Sequence, residues 1–202
     1  MFRLPNAITI TRILLVPVFA VAFVLHGDAA RIVAFAIFCI AGLSDALDGL
    51  AARKLNAGSN FGRMLDPIAD KILVAVALMM LVAEGSIQQF NLEPSLASLL
   101  RLVPALIILT REILVSGLRE FLAGAAVSIP VTAVAKLKTT IQMIAIGAMI
   151  LEPLANEHLP LALGVSYSAA AYIGLWVAAG LTVATGYIYF RSGLAYLRRG
   201  GA

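Results

Sequence analysis

Long apolar segments occupy most of this chain and restrict its fold more than any other feature of the sequence. Of the 202 residues, 61% are hydrophobic and only 13% are charged, whereas a soluble domain is about 45–50% apolar and about 25% charged. The apolar runs are continuous rather than alternating, which argues against a β-barrel. They favour α-helices, because a helix satisfies its own backbone hydrogen bonds in lipid.

The sequence predicts an all-α integral membrane protein with six transmembrane helices, in a single domain over residues 1–202. A span needs about 20 residues, and breaks rich in turn formers and charges separate the segments. The predicted spans are 8–26, 31–51, 67–84, 99–121, 133–152 and 168–190, and the breaks are His26-Gly27-Asp28, Asn56 to Asn60, Glu84-Gly85-Ser86, Ser128-Ile129-Pro130 and Asn156-Glu157-His158. A signal peptide is an alternative for the first segment, but no convincing small-residue cleavage site follows Val24.

The basic residues predict that both termini are cytoplasmic, since Lys and Arg concentrate on that side of a membrane protein. With the N-terminus inside, the outer ends of the spans carry only Arg31 and Arg101, and both histidines, His26 and His158, fall outside. The inner ends carry Arg3, Arg12, Arg53, Lys54, Arg63, Lys71, Arg111, Arg119, Lys136, Lys138, Arg191, Arg198 and Arg199. Because other polar residues cluster at the inner ends as well, we expect the helices to line a shared polar cavity at the cytoplasmic end.

Four aspartates lie at the ends of two neighbouring segments, Asp45 with Asp48 and Asp66 with Asp70. Each pair shares a helix face, and a short connection over about residues 54–62 makes the two helices antiparallel neighbours. Four carboxylates at a membrane boundary need cations nearby. Oxygen ligands without His or Cys suit Mg²⁺ or Mn²⁺. The sequence therefore predicts a site for two divalent ions, of the kind that supports phosphoryl displacement.

A simpler explanation is that these aspartates cap helix ends at the membrane surface. Asp66 precedes Pro67, which is the pattern of an N-cap followed by proline at the first helical position. Capping explains one aspartate better than it explains four at helical spacing beside Arg53. Gly49 and Gly62 would let a bulky ligand approach the backbone, or would serve only as small packing residues.

Basic residues form a second group, on the fourth and fifth segments. Arg111 and Arg119 are eight positions apart and so lie on roughly one helix face, while Lys136 and Lys138 open the fifth segment. Cations buried in lipid need partners, and a phosphate monoester is a natural partner for Arg and Lys. Anchoring to lipid phosphates is the alternative. Lys136 and Lys138 diverge on an ideal helix, so either the helix begins near them or one alone reaches a site.

The acidic stretch resembles the motif of the CDP-alcohol phosphatidyltransferase family, D-x2-D-G-x2-A-R-x8-G-x3-D-x3-D. The residues at its specified positions are Asp45, Asp48, Gly49, Ala52, Arg53, Gly62, Asp66 and Asp70. The resemblance implies a six-helix membrane enzyme, typically a homodimer, that displaces CMP from a CDP-linked lipid at a cytoplasm-facing site. It implies that the four aspartates bind two metal ions and that Asp70 is also the general base. The residues implied to line the CDP pocket are Asp45, Gly49, Ala52, Arg53 and Gly62.

Further residues resemble one subgroup of that family. They are Leu4-Pro5-Asn6 with Thr9 and Arg12, Thr110-Arg111-Glu112, Arg119-Glu120-Phe121, and Lys136-Leu137-Lys138-Thr139 followed by Gln142. The resemblance implies that Asn6 and Thr9 approach the nucleotide. It also implies transfer of the phosphatidyl group of CDP-diacylglycerol to sn-glycerol 3-phosphate, in a bacterial inner membrane. The phosphate of this acceptor would contact Arg111, Arg119 and Lys136 or Lys138.

Other functions share some of these features. Inositol phosphate would need a similar basic pocket, and free inositol or serine are further acceptors within the same family. A cation transporter would also line its path with carboxylates, but the aspartates gather at one end of the segments and no inverted repeat is visible. A membrane scaffold would leave the clustering of charge unexplained. No nucleic acid partner is expected.

Overall fold

The computed structural model describes residues 4–55, 60–87, 96–124 and 133–198. Within these ranges the secondary structure is entirely helical, without a strand. The helices are α1 (Leu4–Val24), α2 (Asp28–Leu55), α3 (Asn60–Ile87), α4 (Leu96–Gly124), α5 (Ala133–His158) and α6 (Leu161–Arg198). Each predicted apolar segment corresponds to one helix, so the prediction of an all-α fold with six helices is confirmed for the described residues.

A chain of polar contacts at one end of the bundle shows how the helices alternate in direction. Arg31, near the start of α2, pairs with Glu84, near the end of α3. Arg101, near the start of α4, lies 3.9 Å from Glu84 and 2.6 Å from Glu152, near the end of α5. Tyr172, near the start of α6, accepts a 2.8 Å hydrogen bond from Arg101. Starts and ends therefore meet, which makes successive helices from α2 to α6 antiparallel. We call these five residues the distal network.

α3 is longer at both ends than the segment 67–84 from which it was predicted. The predicted break at Glu84-Gly85-Ser86 is wrong, because the helix continues to Ile87. Glu84 is not a solvated turn residue, since its carboxylate belongs to the distal network and its side chain is 12% exposed. A charged side chain that forms ion pairs with neighbouring helices can lie inside its own helix and need not mark its end.

Two connections between helices lie within the described residues. Residues 25–27 join α1 to α2, and Gly27 has a φ of 107°, in the left-handed region that favours glycine. The predicted break at this position is confirmed. The predicted break at 156–158 is wrong, because α5 continues to His158 and only Leu159 and Pro160 separate it from α6. Proline lacks the N–H that would continue α5. The predicted breaks at 56–59 and 128–130 lie outside the described residues.

The interior of the bundle is an apolar core to which all six helices contribute. The rings of Phe19 on α1 and Phe38 on α2 have centroids 6.2 Å apart, and both side chains are buried. Small residues allow close helix packing: a Cβ added to Gly174 of α6 would lie 3.4 Å from the Cβ of Ala145 on α5. The core also contains Leu78 of α3, Ile108 of α4, and Ile146 and Met149 of α5.

The outer surface of the bundle is apolar as well. Large hydrophobic side chains are exposed along every helix, among them Leu14, Val18, Val21, Ile32, Ile40, Met79, Leu106, Ile113, Ile144, Ile173, Val183 and Phe190. An exposed apolar surface of this extent marks contact with lipid or with another apolar surface. Within the described residues, two stretches are long and apolar enough to cross a membrane, Lys136–His158 and Leu161–Arg191. These features indicate a membrane protein.

Candidate functional site

The four predicted metal ligands lie on two consecutive helices. Asp45 and Asp48 belong to the C-terminal part of α2, and Asp66 and Asp70 to the N-terminal part of α3. Because α2 and α3 are antiparallel, these parts of the helices lie at the same end of the bundle, opposite the distal network. The side chains of the four aspartates lie outside the described residues, so the convergence of their carboxylates stays a prediction.

Asp66 does not occupy an N-cap. α3 begins at Asn60, which places Asp66 and Pro67 inside the helix rather than at its first residues. The capping explanation is therefore wrong for Asp66. The metal-ligand role of Asp66 stays a prediction.

The residues predicted to contact the nucleotide lie on three helices that pack together at the same end. They are Asn6 and Thr9 on α1, Asp45, Gly49, Ala52 and Arg53 on α2, and Gly62 on α3, and of these side chains only that of Thr9 is within the described part of the chain. α1 packs against both α2 and α3. Thr9 and Arg12 of α1 are each only 2% exposed, so the polar face of this helix is turned into the bundle rather than towards lipid.

Arg111 of α4 is held by residues of α6. Its Nη2 donates a 3.0 Å hydrogen bond to Thr185 Oγ1, and the guanidinium lies 5.9 Å from the centre of the Tyr189 ring. Gly186 leaves room for the side chain, since a Cβ there would lie 3.0 Å from Arg111 Cγ. Nε of Arg111 is buried and has no hydrogen-bond partner among the described residues. This donor is therefore unsatisfied within the described part of the chain.

Lys138 of α5 is joined to Arg111 through Glu112 of α4. The Lys138 ammonium pairs with the Glu112 carboxylate, whose Oε1 lies 3.6 Å from Nη1 of Arg111. The Lys138 side chain is 3% exposed, whereas Lys136 and Arg119 are exposed. Of the four predicted phosphate-binding cations, the structure therefore brings together Arg111 and Lys138. We call Arg111, Glu112 and Lys138 the cationic cluster.

The two lysines diverge as their spacing predicts. α5 begins at Ala133, so both residues lie inside the helix, two positions and about 200° apart around its axis. One side chain is consequently buried while the other faces outwards. The helix begins near the lysines, three residues before Lys136, and of the two only Lys138 is buried.

The helices of the cationic cluster pack on the helices of the aspartates. α4 packs against α3, and α5 packs against both α2 and α3. Arg111 lies in the C-terminal half of α4 and Lys138 near the start of α5, at the end of the bundle where α2 finishes and α3 begins. Acidic and basic residues from distant parts of the chain therefore share one end. Such an arrangement can hold a phosphate group beside carboxylate-bound cations.

Three residues of α6 at this end were not predicted: Thr185, Gly186 and Tyr189. From the sequence this segment is predicted only as a span over residues 168–190, with Arg191, Arg198 and Arg199 at its inner end. A signal was nevertheless present, since Thr182 and Thr185 lie one turn apart within that stretch and both are buried. Polar groups inside a spanning helix need partners, so a threonine pair at helical spacing could have indicated a polar contact.

A histidine and two carboxylates at the opposite end could also hold a metal ion. Ligand atoms of Asp28, Glu157 and His158 lie within 4.8 Å of one another, beside a cavity of about 330 Å³ that Asp28 and Glu157 help to line. His158 Nε2 lies 2.6 Å from Asp28 Oδ2. Asp28 is 17 residues before Asp45 on α2, or about 25 Å along the helix. This group is thus separate from the predicted metal site, and the imidazole of His158 is remote from it.

Comparison with known proteins gives a match over nearly the whole chain. The model of the CDP-alcohol phosphatidyltransferase family matches residues 2–184. A Rickettsia felis protein named CDP-diacylglycerol–glycerol-3-phosphate 3-phosphatidyltransferase is 40% identical over 191 residues, which cover 94% of each chain. A Bacillus subtilis protein of the same name is 38% identical over 202 residues, again 94% of each chain. A third, from Salmonella typhimurium, is 38% identical over 178 residues, 87% of this chain and 90% of that protein.

Proposed function

Because this chain belongs to the CDP-alcohol phosphatidyltransferase family, we propose that it transfers the phosphatidyl group of CDP-diacylglycerol to sn-glycerol 3-phosphate. The products are phosphatidylglycerophosphate and CMP, which makes the protein a transferase of phospholipid biosynthesis. The observation that carries the proposal is 40% identity, over 94% of the chain, to a relative named for this reaction. The cationic cluster supports a phosphate-bearing acceptor, because Arg and Lys are the side chains that bind phosphate best.

The reaction is assigned to the cytoplasmic face of a bacterial inner membrane. In this proposal all six helices cross the bilayer, both termini are cytoplasmic, and residues 1–202 form one catalytic domain with a polar cavity at the inner end. Support comes from the apolar outer surface of the bundle and from the basic residues concentrated at one set of helix ends. The family resemblance adds a homodimer to the proposal.

The aspartates fit a divalent metal site in the chemistry of their donors. Asp45, Asp48, Asp66 and Asp70 offer only carboxylate oxygens, the ligands that Mg²⁺ and Mn²⁺ prefer. We assign two ions to them, with two ligands from α2 and two from α3. When bound, the ions would offset negative charge on the pyrophosphate of the CDP-linked lipid and on the leaving group.

The proton and the nucleotide are assigned to this chain's own side chains. Asp70 accepts the proton of the primary hydroxyl of glycerol 3-phosphate. The hydroxyl oxygen forms a bond to the phosphorus that carries diacylglycerol, and the bond from that phosphorus to the oxygen of CMP breaks. We assign direct displacement, since His158 is remote from the aspartates and cannot serve as a nucleophile. The residues assigned to CDP are Asn6, Thr9, Asp45, Gly49, Ala52, Arg53 and Gly62.

The acceptor phosphate is assigned to the basic end of α4 and α5. Arg111 and Lys138 bind it directly, because the side chains are only 14% and 3% exposed and both cations lie beside the Glu112 carboxylate. Arg119 and Lys136 are exposed, so their role in the proposal is to attract the anion to the pocket by long-range charge.

The proposed function is tested by CMP release from CDP-diacylglycerol in detergent micelles. Mg²⁺ is supplied with glycerol 3-phosphate, inositol 1-phosphate, free inositol or serine in turn, and a parallel series contains EDTA. The expected result is release that requires metal and occurs only with glycerol 3-phosphate. Release with a different acceptor would agree with membership of the family but would refute glycerol 3-phosphate as the acceptor. No release with any acceptor, from folded protein, would refute the proposed reaction.

A further inference from the structure

One member of the cationic cluster has no role in the proposed reaction. The carboxylate of Glu112 pairs with Lys138 and lies 3.6 Å from Arg111, between the two cations assigned to the acceptor phosphate. A carboxylate repels a phosphate at short range. A negative charge at this position therefore lowers the affinity of the pocket unless it contributes something else.

The burial of Lys138 shows what Glu112 contributes. The Lys138 side chain is 3% exposed and that of Glu112 is 17% exposed, so the ammonium has lost nearly all contact with solvent. A buried ammonium without a counter-charge is strongly destabilised. Glu112 supplies that charge from a different helix, and it does so next to Arg111. The ion pair thereby fixes the Lys138 ammonium of α5 beside the guanidinium of α4.

Arg111 retains the capacity to bind an additional anion in this arrangement. The 3.6 Å separation between Arg111 Nη1 and Glu112 Oε1 exceeds the length of an ordinary hydrogen bond. Thr185, not Glu112, accepts the hydrogen bond from Nη2. Glu112 thus balances the charge of Arg111 without occupying its donors.

We propose that Glu112 is a positioning residue, which holds Lys138 beside Arg111 so that both cations bind one acceptor phosphate. The inference rests on the proposed function. It predicts that removing the Glu112 charge weakens binding of the acceptor phosphate, whereas charge alone predicts stronger binding. Removing a negative charge beside an anion site should strengthen anion binding if only Coulomb forces act, whereas loss of a positioning contact should weaken it.

The test compares Glu112→Gln, Glu112→Asp and the matched control Glu120→Gln. Glu120 also follows an arginine on α4, but its side chain is exposed. Initial rates of CMP release give KM for glycerol 3-phosphate and, separately, KM for CDP-diacylglycerol. For Glu112→Gln we expect about a tenfold higher KM for glycerol 3-phosphate, because one charge-assisted hydrogen bond is lost. The KM for CDP-diacylglycerol should stay within about twofold of wild type. Glu112→Asp should restore part of the affinity, and Glu120→Gln should match wild type.

An unchanged or lower KM for glycerol 3-phosphate in Glu112→Gln would overturn the inference, as would an equal rise in both KM values. Wild-type turnover separates this outcome from failure of the proposed function. If wild type uses glycerol 3-phosphate and Glu112→Gln behaves like it, the function stands and the positioning role is refuted. If wild type releases CMP only with another acceptor, both are refuted.

A double variant keeps the inference testable if Glu112→Gln does not fold. Lys138→Gln together with Glu112→Gln removes both charges of the pair, which relieves the cost of an unpaired ion. Because Glu112 acts through Lys138, adding Glu112→Gln to Lys138→Gln should change KM for glycerol 3-phosphate by less than about twofold, as expected for strongly coupled sites. A further rise of about tenfold in the double variant would show an independent role and overturn the inference.

Discussion

Gly186 shows how one missing side chain can position a functional residue. A Cβ at this position would lie 3.0 Å from Arg111 Cγ and 3.4 Å from Arg111 Nε. Alanine would push the arginine away from Thr185, and overpacking of this kind costs about 1–3 kcal/mol. We predict that Gly186→Ala raises KM for glycerol 3-phosphate by about tenfold, because the guanidinium is displaced from the phosphate.

Gly180 is the matched control for this prediction, since it lies on the same helix and a Cβ there would contact nothing within 4 Å. Gly180→Ala should leave KM unchanged and raise thermal stability slightly, because alanine favours helix by about 1 kcal/mol over glycine. Kinetics and thermal unfolding in detergent measure both effects. Equal KM values for the two variants would contradict the role given to Gly186.

Asp70 is assigned both a metal ion and the proton of the acceptor hydroxyl. Asp70→Asn keeps the shape of the side chain but removes its charge and its basicity. We predict that kcat falls by at least about 10²-fold, the lower range for loss of a general base. Asp28 begins α2 and lies at the other end of the bundle from Asp70, so Asp28→Asn should retain wild-type kcat. Turnover within about twofold of wild type in Asp70→Asn would remove this residue from the proposed mechanism.

The sequence singled out the charged residues of the cationic cluster but not the residues of α6 that contact them. Arg111 and Lys138 were recognisable because a cation in an apolar segment needs a partner. The partner Thr185 lies 74 positions from Arg111, and no local pattern connects the two. The spacing alone predicts that Lys136 and Lys138 face different sides of the helix, since this depends only on helix geometry. Choosing which of the pair is buried required the packing of α5 against its neighbours.

At the scale of the helices, the distal network connects five of the six elements. Arg101 is 8% exposed and Glu152 is 7% exposed, so their 2.6 Å ion pair is almost fully shielded from solvent. The sequence placed Arg31 and Arg101 at outer helix ends, and it placed Glu84 in a turn. Ion pairs between helices depend on which helices are neighbours, and the sequence does not show this. Charged residues near the ends of α3 and α5 were therefore interpreted as breaks, and both helices were predicted to end too early.

Removing one partner from this network should destabilise the bundle. We predict that Arg101→Leu lowers the free energy of unfolding by about 3–5 kcal/mol, because it leaves the Glu152 carboxylate buried without its cation. Since the network is opposite the proposed active site, folded protein should keep the wild-type KM for both substrates. Chemical unfolding in detergent and steady-state kinetics measure the two effects.

His158→Ala provides the contrast for Arg101→Leu. The contact of His158 with Asp28 is also at this end, but the two side chains are 56% and 46% exposed, and exposed polar pairs contribute about 0–1 kcal/mol. Similar losses of stability in Arg101→Leu and His158→Ala would show that burial does not determine the strength of the network.

At the scale of the whole molecule, the bundle has two chemically different ends. One end carries the aspartates, the cationic cluster and the buried polar face of α1, and the other carries the distal network with Asp28, Glu157 and His158. The alternation of helix direction produces this division, since α2, α4 and α6 all end on the side where α1, α3 and α5 begin. Apolar segments in the sequence were sufficient to predict the six helices of the described residues, whereas the grouping of the charged residues into one site stays a prediction.

The proposed orientation places these ends on opposite sides of the membrane, which cysteine labelling can test. The chain has one cysteine, Cys39, so a Cys39→Ala background allows single cysteines to be introduced. His26 lies between α1 and α2, Arg198 ends α6, and both side chains are exposed. We predict that a membrane-impermeant maleimide labels His26→Cys in intact spheroplasts and labels Arg198→Cys only after the membrane is opened, because Lys and Arg at helix ends favour the cytoplasmic side. The cysteine-free background serves as the blank, and the reverse pattern would place the proposed active site outside the cell, away from the cytoplasmic substrates assigned to it.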